Sequence, residues 1–520
     1  MKKYIPYILL VIFSVFFISI YAYTVNPKLD LNGDNATYIR LARNLADGHG
    51  YSMQNTEGVF MPTSIWPPAY PFVLSLLVRM GVDSLMGFKI LNAVFCFLSL
   101  LCVAFLVEKL TKQRWLAFSI AVLTVMSPQL LSFAGMAMSE MLYMLATVGT
   151  LLALYLYAQR DTKRFYTSPW FYAAIICASL AYYTRTIGAT ILFTVIVFFL
   201  FRKEWLSSLG ALAGMAVCIM PWSLRNRAYG LGGSRYIAET MYINPRRQEE
   251  GVMDSFGLWW ERISTNIKDI FLDGFRNILF PFSHISNTSG IIIFGVLILA
   301  ICIIGAWHAK KMRWAFIGYF VATAGFLSIW YGGHGTRYVT PLIPLIFALF
   351  YMGIWSIYAY LKRRLSSKIP VPKNNSLLPL LFLLLLFPMS NPVKELHVQS
   401  KKPYPAAYFN YFSIAASVNA SYPEGTVVCC RKPELFSYFA PKIRTTGYAW
   451  TTNQEELIQG LLNNKTEYVI LEQLGYSSTA RYLYPAIQKY PQLFTLVHHM
   501  QNPDTYLFLF ERQAAEQLLQ

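Results

Sequence analysis

Charge is scarce in this chain, and acids are scarcer than bases. Of its 520 residues, 13% are charged, with 44 Lys and Arg against 26 Asp and Glu. Its seven cysteines show neither a CxxC pair nor zinc-ligand spacing, and no DxD motif, His-rich cluster or Gly-rich phosphate loop occurs. The sequence therefore predicts no metal and no cofactor. What it has instead is apolar residues, 55% of the chain, which is the composition of a polytopic membrane protein.

Long apolar runs recur from the N-terminus to about residue 360. A bilayer-spanning helix needs roughly 17–25 predominantly apolar residues. The runs predict ten spans, near residues 4–24, 87–107, 116–133, 139–158, 170–185, 187–201, 206–224, 291–307, 314–331 and 337–360. The first is too long for a signal-peptide core and lacks a following cleavage site, so we interpret it as a retained span. A further run at 377–389 is short, and we predict it as an eleventh span.

Basic residues orient these spans. Six short connections, all on one side if the N-terminus is inside, carry 18 Lys and Arg against three acids, or +15 of the chain's net charge of +18. Cytoplasmic loops are enriched in this way. The basic character therefore reports membrane topology and gives no reason to expect nucleic-acid binding.

The chain divides into two predicted domains. Residues 1–389 form a helical membrane domain with a first outer loop at 25–86 and a long outer loop at 225–290. Residues 390–520 read as a small extracytoplasmic α/β domain, with strands at 426–431, 468–472 and 505–511 and helices at 453–464 and 479–490. The predicted fold class is thus an α-helical polytopic membrane protein of about 11 spans with a small α/β tail.

This topology gathers the ionisable residues of the outer loops and outer span ends on one face. The candidates among them are Asp34, Glu140, Arg185, Arg225, His334 and Arg337. Arg185 and Arg337 stand where the positive-inside bias disfavours arginine, and ionisable groups at membrane depth are costly and commonly functional. A snorkelling arginine or a structural partner for Glu140 is the competing interpretation.

The two carboxylates have simple structural interpretations as well. Glu140 begins a helix, where an acid complements the helix dipole, or it orients an arginine or a substrate hydroxyl. Asp34 precedes an amphipathic helix whose apolar stripe includes Tyr38 and Leu41 and which would lie on the membrane surface. Asp34 could be only the N-cap of that helix, a role that Asn or Ser would fill equally well.

Several segments together resemble a known family. They are Asp34 with the helix after it, Gly48-His49-Gly50-Tyr51, Trp66-Pro67-Pro68, Ser139-Glu140, Thr184-Arg185, the PWSLRN segment at 221–226 and the RYVTPLIP segment at 337–344. Over about residues 1–360 the chain resembles the GT-C superfamily of polyprenyl-phosphate-sugar glycosyltransferases, in the bacterial branch related to protein O-mannosyltransferases and aminoarabinose transferases. It departs from many relatives in having Asn35 rather than a second acid after Asp34, and Ile65-Trp66 rather than a charged residue before the Pro-Pro pair.

The resemblance implies a glycosyltransferase of the cell membrane, expected in a bacterial inner membrane with its site outside. A polyprenyl-phosphate sugar would be the donor, and a glycan, lipid or protein hydroxyl the acceptor. Asp34 fits a general base and implies inversion at the anomeric carbon, while arginines fit the leaving phosphate. The phosphate ligands would be Arg185 and Arg337, with Arg225 as a further candidate, supported by Glu140, Tyr38 and His334.

Two other classes remain open from the sequence. A transporter or flippase of lipid-linked sugars would place its charges near the midplane, often in repeated halves, whereas these residues cluster at one face and no internal repeat is visible. A non-catalytic scaffold would give no reason for Asp34, Arg185 and Arg337 to share a side. The sugar, the acceptor and the lipid length are not encoded in any recognisable motif.

Overall fold

The chain forms two compact units. The computed structural model describes residues 4–160, 164–231, 239–245, 247–331, 335–365 and 376–519. We call the first unit, Met1–Pro27, Ser64–Tyr70 and Asp83–Lys401, the membrane unit. The second, Lys28–Thr63, Pro71–Val82 and Lys402–Gln520, is the loop–tail unit. Most of the first outer loop thus groups with the tail rather than with the spans, and the units divide after Lys401 rather than after residue 389.

The described part of the membrane unit consists mainly of helices, with one antiparallel bridge between Tyr242 and Val252. Its helices are Ile5–Thr24, Leu85–Thr111, Arg114–Val125, Pro128–Ala134, Glu140–Gln159, Pro169–Thr184, Ala189–Phe201, Trp205–Ala228, Phe256–Asn266, Gly274–Leu279, Thr288–His308, Arg313–Ile329, Gly335–Val339, Ile343–Leu365 and Leu386–Lys401. Short 3₁₀ turns join several of them, and a π-helical stretch covers Ile267–Asp273. A single apolar core runs through this unit from Phe13 to Val393.

Within the described residues, eight helices are long and apolar enough to cross a membrane. They are Ile5–Thr24, Leu85–Thr111, Glu140–Gln159, Trp205–Ala228, Thr288–His308, Lys310–Ile329, Arg337–Leu365 and Leu378–Ser421. The fold class, a multi-pass helical membrane protein with a small α/β tail, is confirmed. The eleven expected spans are not matched one for one, because the predicted spans at 170–185 and 187–201 form helices of 16 and 13 residues.

The predicted span at 116–133 is broken. Its helix ends at Val125 and a second helix begins at Pro128, with a bend of 69° between them. Pro128 lies at the start of the second helix, where its missing N–H costs nothing, and Ser127 caps that helix by accepting from the N–H of Leu130. A continuous apolar run therefore hides a helix boundary. Counted as one span, the pair is a ninth candidate.

The loop–tail unit contains two sheets. In the loop, β1 (Ser52–Gln54) pairs antiparallel with β2 (Phe60–Pro62). In the tail, β3 (Val427–Cys429), β4 (Arg444–Thr446), β5 (Tyr468–Leu471), β6 (Phe494–Met500) and β7 (Thr505–Phe510) form one sheet in the order β4-β3-β5-β7-β6. The pairs β3–β4 and β3–β5 are parallel, whereas β5–β7 and β6–β7 are antiparallel.

Five tail helices accompany this sheet, at Ala406–Ser421, Pro433–Phe439, Gln454–Asn463, Tyr484–Lys489 and Arg512–Leu519. The three predicted strands and the predicted helix at 453–464 are present, while the one at 479–490 begins as a π-helical turn over Thr479–Leu483. The predicted set omitted β4 and β6. Both lie at the edges of the sheet, where half the hydrogen bonds of a strand are absent and the apolar pattern is weak.

The loop helix Asp34–Ala46 packs into protein. Tyr38 and Leu41 are buried, and the helix lies against β1 and the tail helix Pro433–Phe439. Asp47 is its C-cap and Gly48 follows with a positive φ of 84°. Protein therefore covers Tyr38 and Leu41 of the apolar stripe, and the location of this helix on the membrane surface stays a prediction.

Candidate functional site

In the membrane unit, Glu140 is the centre of a buried ionic cluster. It is the first residue of the helix Glu140–Gln159 and its side chain is fully buried. The turn before it is fixed by Asn92 of a neighbouring helix, which donates from Nδ2 to the carbonyl oxygens of Met138, over 2.8 Å, and of Met136. The main chain thus presents Glu140 at one defined place.

Arg185 and Arg337 converge on the same oxygen of Glu140. Nη1 of Arg185 and Nε of Arg337 each lie 2.7 Å from Oε1. Arg185 also donates from Nη1 to Oγ of Ser139 over 3.0 Å, and its guanidinium lies 5.7 Å from the ring centre of Tyr338. The interpretation that Glu140 orients arginines agrees with these contacts, and Glu140 also stands in a helix first turn.

The sequence placed these three residues on one side and offered their pairing as one of several interpretations. Arg185 follows the helix Pro169–Thr184 as its C-cap, with an extended backbone at φ −152°. Arg337 lies in the short helix Gly335–Val339. Each arginine lies where the chain passes from one apolar helix to the next. Both side chains can therefore reach the start of the helix Glu140–Gln159.

The cluster carries an excess of positive charge. Two guanidinium groups face one carboxylate, so one positive charge exceeds the negative charge within these three side chains. Oε2 of Glu140 is buried and accepts no hydrogen bond from the described residues. Arg185 and Arg337 keep 12% and 21% of their side-chain surface exposed, whereas Glu140 keeps none. An anion would therefore meet the arginines rather than the carboxylate.

Polar contacts continue around this cluster. One turn along the helix from Glu140, the hydroxyl of Tyr143 lies 3.2 Å from that of Tyr319. Gln129 of the bent helix pair donates to the hydroxyl of Thr340, three residues after Arg337, over 2.8 Å. The contact of Gln129 connects the helix after the bend to the segment that carries Arg337.

Arg225 and His334 are the other two site candidates predicted in the membrane unit. Arg225 lies near the end of the helix Trp205–Ala228, with its guanidinium 4.7 Å from the ring centre of Trp222 and 5.3 Å from that of Tyr229. Its Nη1 donates to Oδ1 of Asn226. In the described part of the chain, the ion pairs of Glu140 involve Arg185 and Arg337 and not Arg225. His334 lies outside the described residues.

Asp34 lies in the loop–tail unit. It is the first residue of the helix Asp34–Ala46, and the residue in the N-cap position is Gly33, with φ 100°. The hypothesis that Asp34 is only an N-cap is therefore wrong, since Asp34 already belongs to the first turn. Asn35, which stands where many relatives have a second acid, is fully buried and donates to the carbonyl oxygen of Asp30 over 3.1 Å. Tyr38 is buried in the same helix.

Sequence reasoning missed Lys89. This lysine is 1% exposed in the first turns of the helix Leu85–Thr111 and donates from Nζ to the carbonyl oxygen of Asn26. Its own carbonyl oxygen accepts from the hydroxyl of Tyr21 over 3.1 Å. The positive-inside argument that selected Arg185 and Arg337 applies equally to a lysine at an outer span end, and that signal was available in the sequence.

Among the residues that the structure describes, no group of three or more His, Cys, Asp or Glu side chains is placed to hold a metal ion. That activity needs no metal stays a prediction, to be tested by chelation.

Three comparisons with known proteins bear on this geometry. The model of the family described as dolichyl-phosphate-mannose-protein mannosyltransferase matches residues 5–228. This is the part of the chain that contains Asp34, Glu140, Arg185 and Arg225. The comparison with curated proteins gave no match.

Solved structures of two glycosyltransferases share the fold over almost the whole chain. The archaeal oligosaccharyltransferase AglB from Archaeoglobus fulgidus, solved with an inhibitory peptide and a dolichol-phosphate, is 13% identical, with a TM-score of 0.58 over 98% of this chain and 75% of AglB. ArnT from Cupriavidus metallidurans in the apo state is 14% identical, with a TM-score of 0.56 over 96% of this chain and 97% of ArnT. ArnT has also been solved with undecaprenyl phosphate, at 13% identity.

At such low identity these likenesses establish the fold, which is that of multi-pass membrane glycosyltransferases. The resemblance noted in the sequence is thereby confirmed. Residues 5–228, somewhat less than half of the chain, are similar to the family described as dolichyl-phosphate-mannose-protein mannosyltransferase, and the whole chain shares its fold with AglB and ArnT.

Proposed function

We propose that this protein is an integral-membrane glycosyltransferase that moves a sugar from a polyprenyl-phosphate donor to an acceptor hydroxyl on the outer face of the membrane. The observation that carries the proposal is the convergence of Arg185 and Arg337 on Glu140. Support also comes from the relatives, one solved with a dolichol-phosphate and one with undecaprenyl phosphate.

The two arginines suit the phosphate of such a donor. Glu140 holds both guanidinium groups in place through one oxygen, and these three side chains together carry one more positive than negative charge. Guanidinium groups bind phosphate through paired, charge-assisted hydrogen bonds. Pre-organised cations at the point where charge develops stabilise a leaving phosphate without reorganisation. In this role Glu140 is a positioning residue, and Arg225 is a further candidate for the phosphate.

Asp34 is the proposed general base. Its carboxylate accepts the proton of the acceptor hydroxyl while that oxygen attacks the anomeric carbon. The bond from this carbon to the phosphate oxygen breaks, and its electron pair stays on the phosphate. A single displacement inverts the anomeric configuration, and general-base assistance contributes roughly 10²–10⁴-fold to such a step. The proposal for Asp34 is supported by its place on the connection after the first span.

The proposed location follows from charge. The basic connections are expected inside, so Asp34, Arg185 and Arg337 are expected outside, in a bacterial inner membrane. There the enzyme has no access to cytoplasmic nucleotide sugars, and a lipid carrier must supply the sugar. The acceptor is proposed only as a hydroxyl-bearing glycan, lipid or protein.

The test is transfer by purified protein in liposomes. The donor is a radiolabelled polyprenyl-phosphate sugar, the acceptor is an envelope extract, and EDTA is present in excess. We expect label in the acceptor fraction with EDTA and none when a nucleotide sugar replaces the lipid donor. Restoration of lost transfer by Mg²⁺ or Mn²⁺ would overturn the metal-free mechanism. Movement of the lipid across the bilayer without transfer would favour a flippase instead.

A further inference from the structure

The tail reaches the chain immediately before Asp34, within the loop–tail unit. Nζ of Lys432 donates to the carbonyl oxygen of Asn32 over 3.0 Å. Asn32 lies two residues before Asp34, and Lys432 directly precedes the tail helix Pro433–Phe439. The side chain of Lys432 is 14% exposed, so this is an ordered contact rather than a solvated surface lysine.

Glu434 covers the next residue, Gly33. A Cβ added to Gly33 would overlap Oε1 of Glu434 and lie 2.8 Å from its Cγ. Gly33 also has a φ of 100°, a backbone conformation that glycine adopts without strain. The backbone angle favours glycine at this position, and the absence of a side chain lets Glu434 approach the main chain. Oε1 of Glu434 lies 3.5 Å from Nζ of Lys432, so the two tail side chains support each other.

Lys432 is itself held by the tail. Its ammonium group lies 5.1 Å from the ring centre of Tyr476, whose hydroxyl is 3.1 Å from that of Tyr408. The carbonyl oxygen of Lys432 accepts from the fully buried Tyr411 over 3.0 Å. A lysine fixed through both its main chain and its side chain can transmit the position of the tail to the loop.

Two further contacts bind the loop to the tail on either side of Asp34. The hydroxyl of Tyr404 donates to the carbonyl oxygen of Leu29 over 3.1 Å. On the helix after Asp34, the guanidinium of Arg43 lies 5.9 Å from the ring centre of Tyr438. The first turn of the helix Asp34–Ala46 is therefore set by the tail as well as by its own sequence.

We infer that Lys432 and Glu434 are positioning residues for Asp34 and that the tail is required for turnover. The inference rests on the proposed role of Asp34. A general base must be held within about 0.5 Å of its productive position by supporting contacts. Lys432 and Glu434 contact the main chain at Asn32 and Gly33, two and one residues before Asp34, and so define where the side chain of Asp34 begins.

The test compares Lys432→Met with Lys432→Arg in the full-length protein. Met keeps the length and apolar stem of lysine but donates no hydrogen bond, whereas Arg still donates. We expect kcat to fall roughly tenfold to hundredfold in Lys432→Met, as for an ångström-scale misplacement of a catalytic group, with KM for the lipid donor changed less than about twofold. Lys432→Arg should recover most of kcat. The control is Lys442→Met, an exposed tail lysine, which should leave kcat unchanged.

A normal kcat in folded Lys432→Met overturns the inference, as does a fall in Lys432→Met that Lys432→Arg does not recover. If Lys432→Met does not fold, Glu434→Gln is the deciding variant, because it is isosteric and removes only the charge that holds Lys432. A normal kcat in folded Glu434→Gln then overturns the inference, and a reduced kcat with unchanged donor KM supports it.

The Asp34→Asn variant separates this inference from the proposed function. Active Asp34→Asn removes the base assignment and the inference with it. Inactive Asp34→Asn together with normal Lys432→Met removes only the inference.

Discussion

Arg337 donates from Nε to Oε1 of Glu140, the oxygen that also lies 2.7 Å from Nη1 of Arg185. One carboxylate oxygen thus orders two cations that are 152 positions apart in the chain. Neither guanidinium could be held so close to the other without it, because like charges in a buried site repel strongly. The role of Glu140 is therefore to make a two-arginine cluster possible.

We expect Glu140→Gln to destabilise the protein strongly. The amide has nearly the shape of the carboxylate but leaves two guanidinium groups facing a neutral group, and removing one partner of a buried ion pair costs about 3–5 kcal/mol. The measurement is thermal or denaturant unfolding in detergent. The control is Glu108→Gln, whose partner Arg114 lies at 3.0 Å with side chains 38% and 32% exposed for Arg114 and Glu108. That surface pair should contribute about 0–1 kcal/mol. Equal effects of the two substitutions would contradict the proposed role.

Asp34→Asn is expected to lower kcat by roughly 10²–10⁴-fold, the usual contribution of a general base. Binding of the lipid donor and the unfolding temperature should change little, because the asparagine amide has nearly the shape of the aspartate carboxylate. Asp47→Asn, at the C-cap of the same helix, is the matched control and should transfer sugar normally. Turnover near the parent level in Asp34→Asn would return Asp34 to a structural role.

The sequence predicted those features of the fold and the site that depend on local apolar pattern and on the charge of the connections between spans. Charge bias predicted that Arg185 and Arg337 share a side with Glu140, but their convergence on one oxygen depends on how three separate helix ends pack. The bend before Pro128 was missed because the apolar run continues through it. The association of Lys432 with Asn32 joins residues 400 positions apart, and no periodicity encodes such a contact.

To determine by thiol labelling on which side of the membrane the tail lies, a cysteine other than Cys429 and Cys430 is needed. Cys429 and Cys430 are fully buried, and burial raises the pKa of both thiols well above the usual range. A thiol that is both inaccessible and protonated reacts poorly, so labelling of the natural cysteines would not report the side of the membrane.

We therefore expect a membrane-impermeant maleimide to label a Gln473→Cys variant, at an exposed tail position, in intact spheroplasts. The parent protein, treated in the same way, should stay unlabelled at its tail. Labelling of the variant only after lysis would place the tail in the cytoplasm.

The contribution of Glu472 to the stability of the tail should fall as the pH rises above the ordinary range of a glutamate. Burial raises the pKa of Glu472, although the hydroxyl of Thr479, the N–H of Leu474 and the charge of Arg431 oppose that rise. Because the folded state holds this proton more tightly than the unfolded state, stability is greatest below the unfolded pKa of about 4.3. It then falls as the pH rises through the raised, folded pKa.

Glu472→Gln should remove that part of the pH dependence, since its amide does not titrate. The measurement is hydrogen exchange of the β5 amides in the full-length protein from pH 4 to pH 8, corrected for the intrinsic exchange rate. The control is Glu424→Gln at an exposed tail position. An identical pH dependence in parent and Glu472→Gln would contradict the buried-carboxyl account.

Arg337 should determine donor use more than acceptor use. Arg337→Ala is expected to raise KM for the lipid donor roughly ten- to hundredfold, the value of one to two charge-assisted hydrogen bonds. Arg337→Lys should recover only part of this, because a point charge does not reproduce paired guanidinium donors. The measurement is transfer rate against donor concentration in liposomes at fixed acceptor.

The control is Arg276→Lys, since Arg276 is also buried and ion-paired, with Nη2 2.6 Å from Oδ1 of Asp273. That substitution can lower stability but should leave the donor dependence of the folded fraction unchanged. If Arg337→Ala and Arg337→Lys both keep the parent's donor dependence, Arg337 serves only as a structural partner of Glu140.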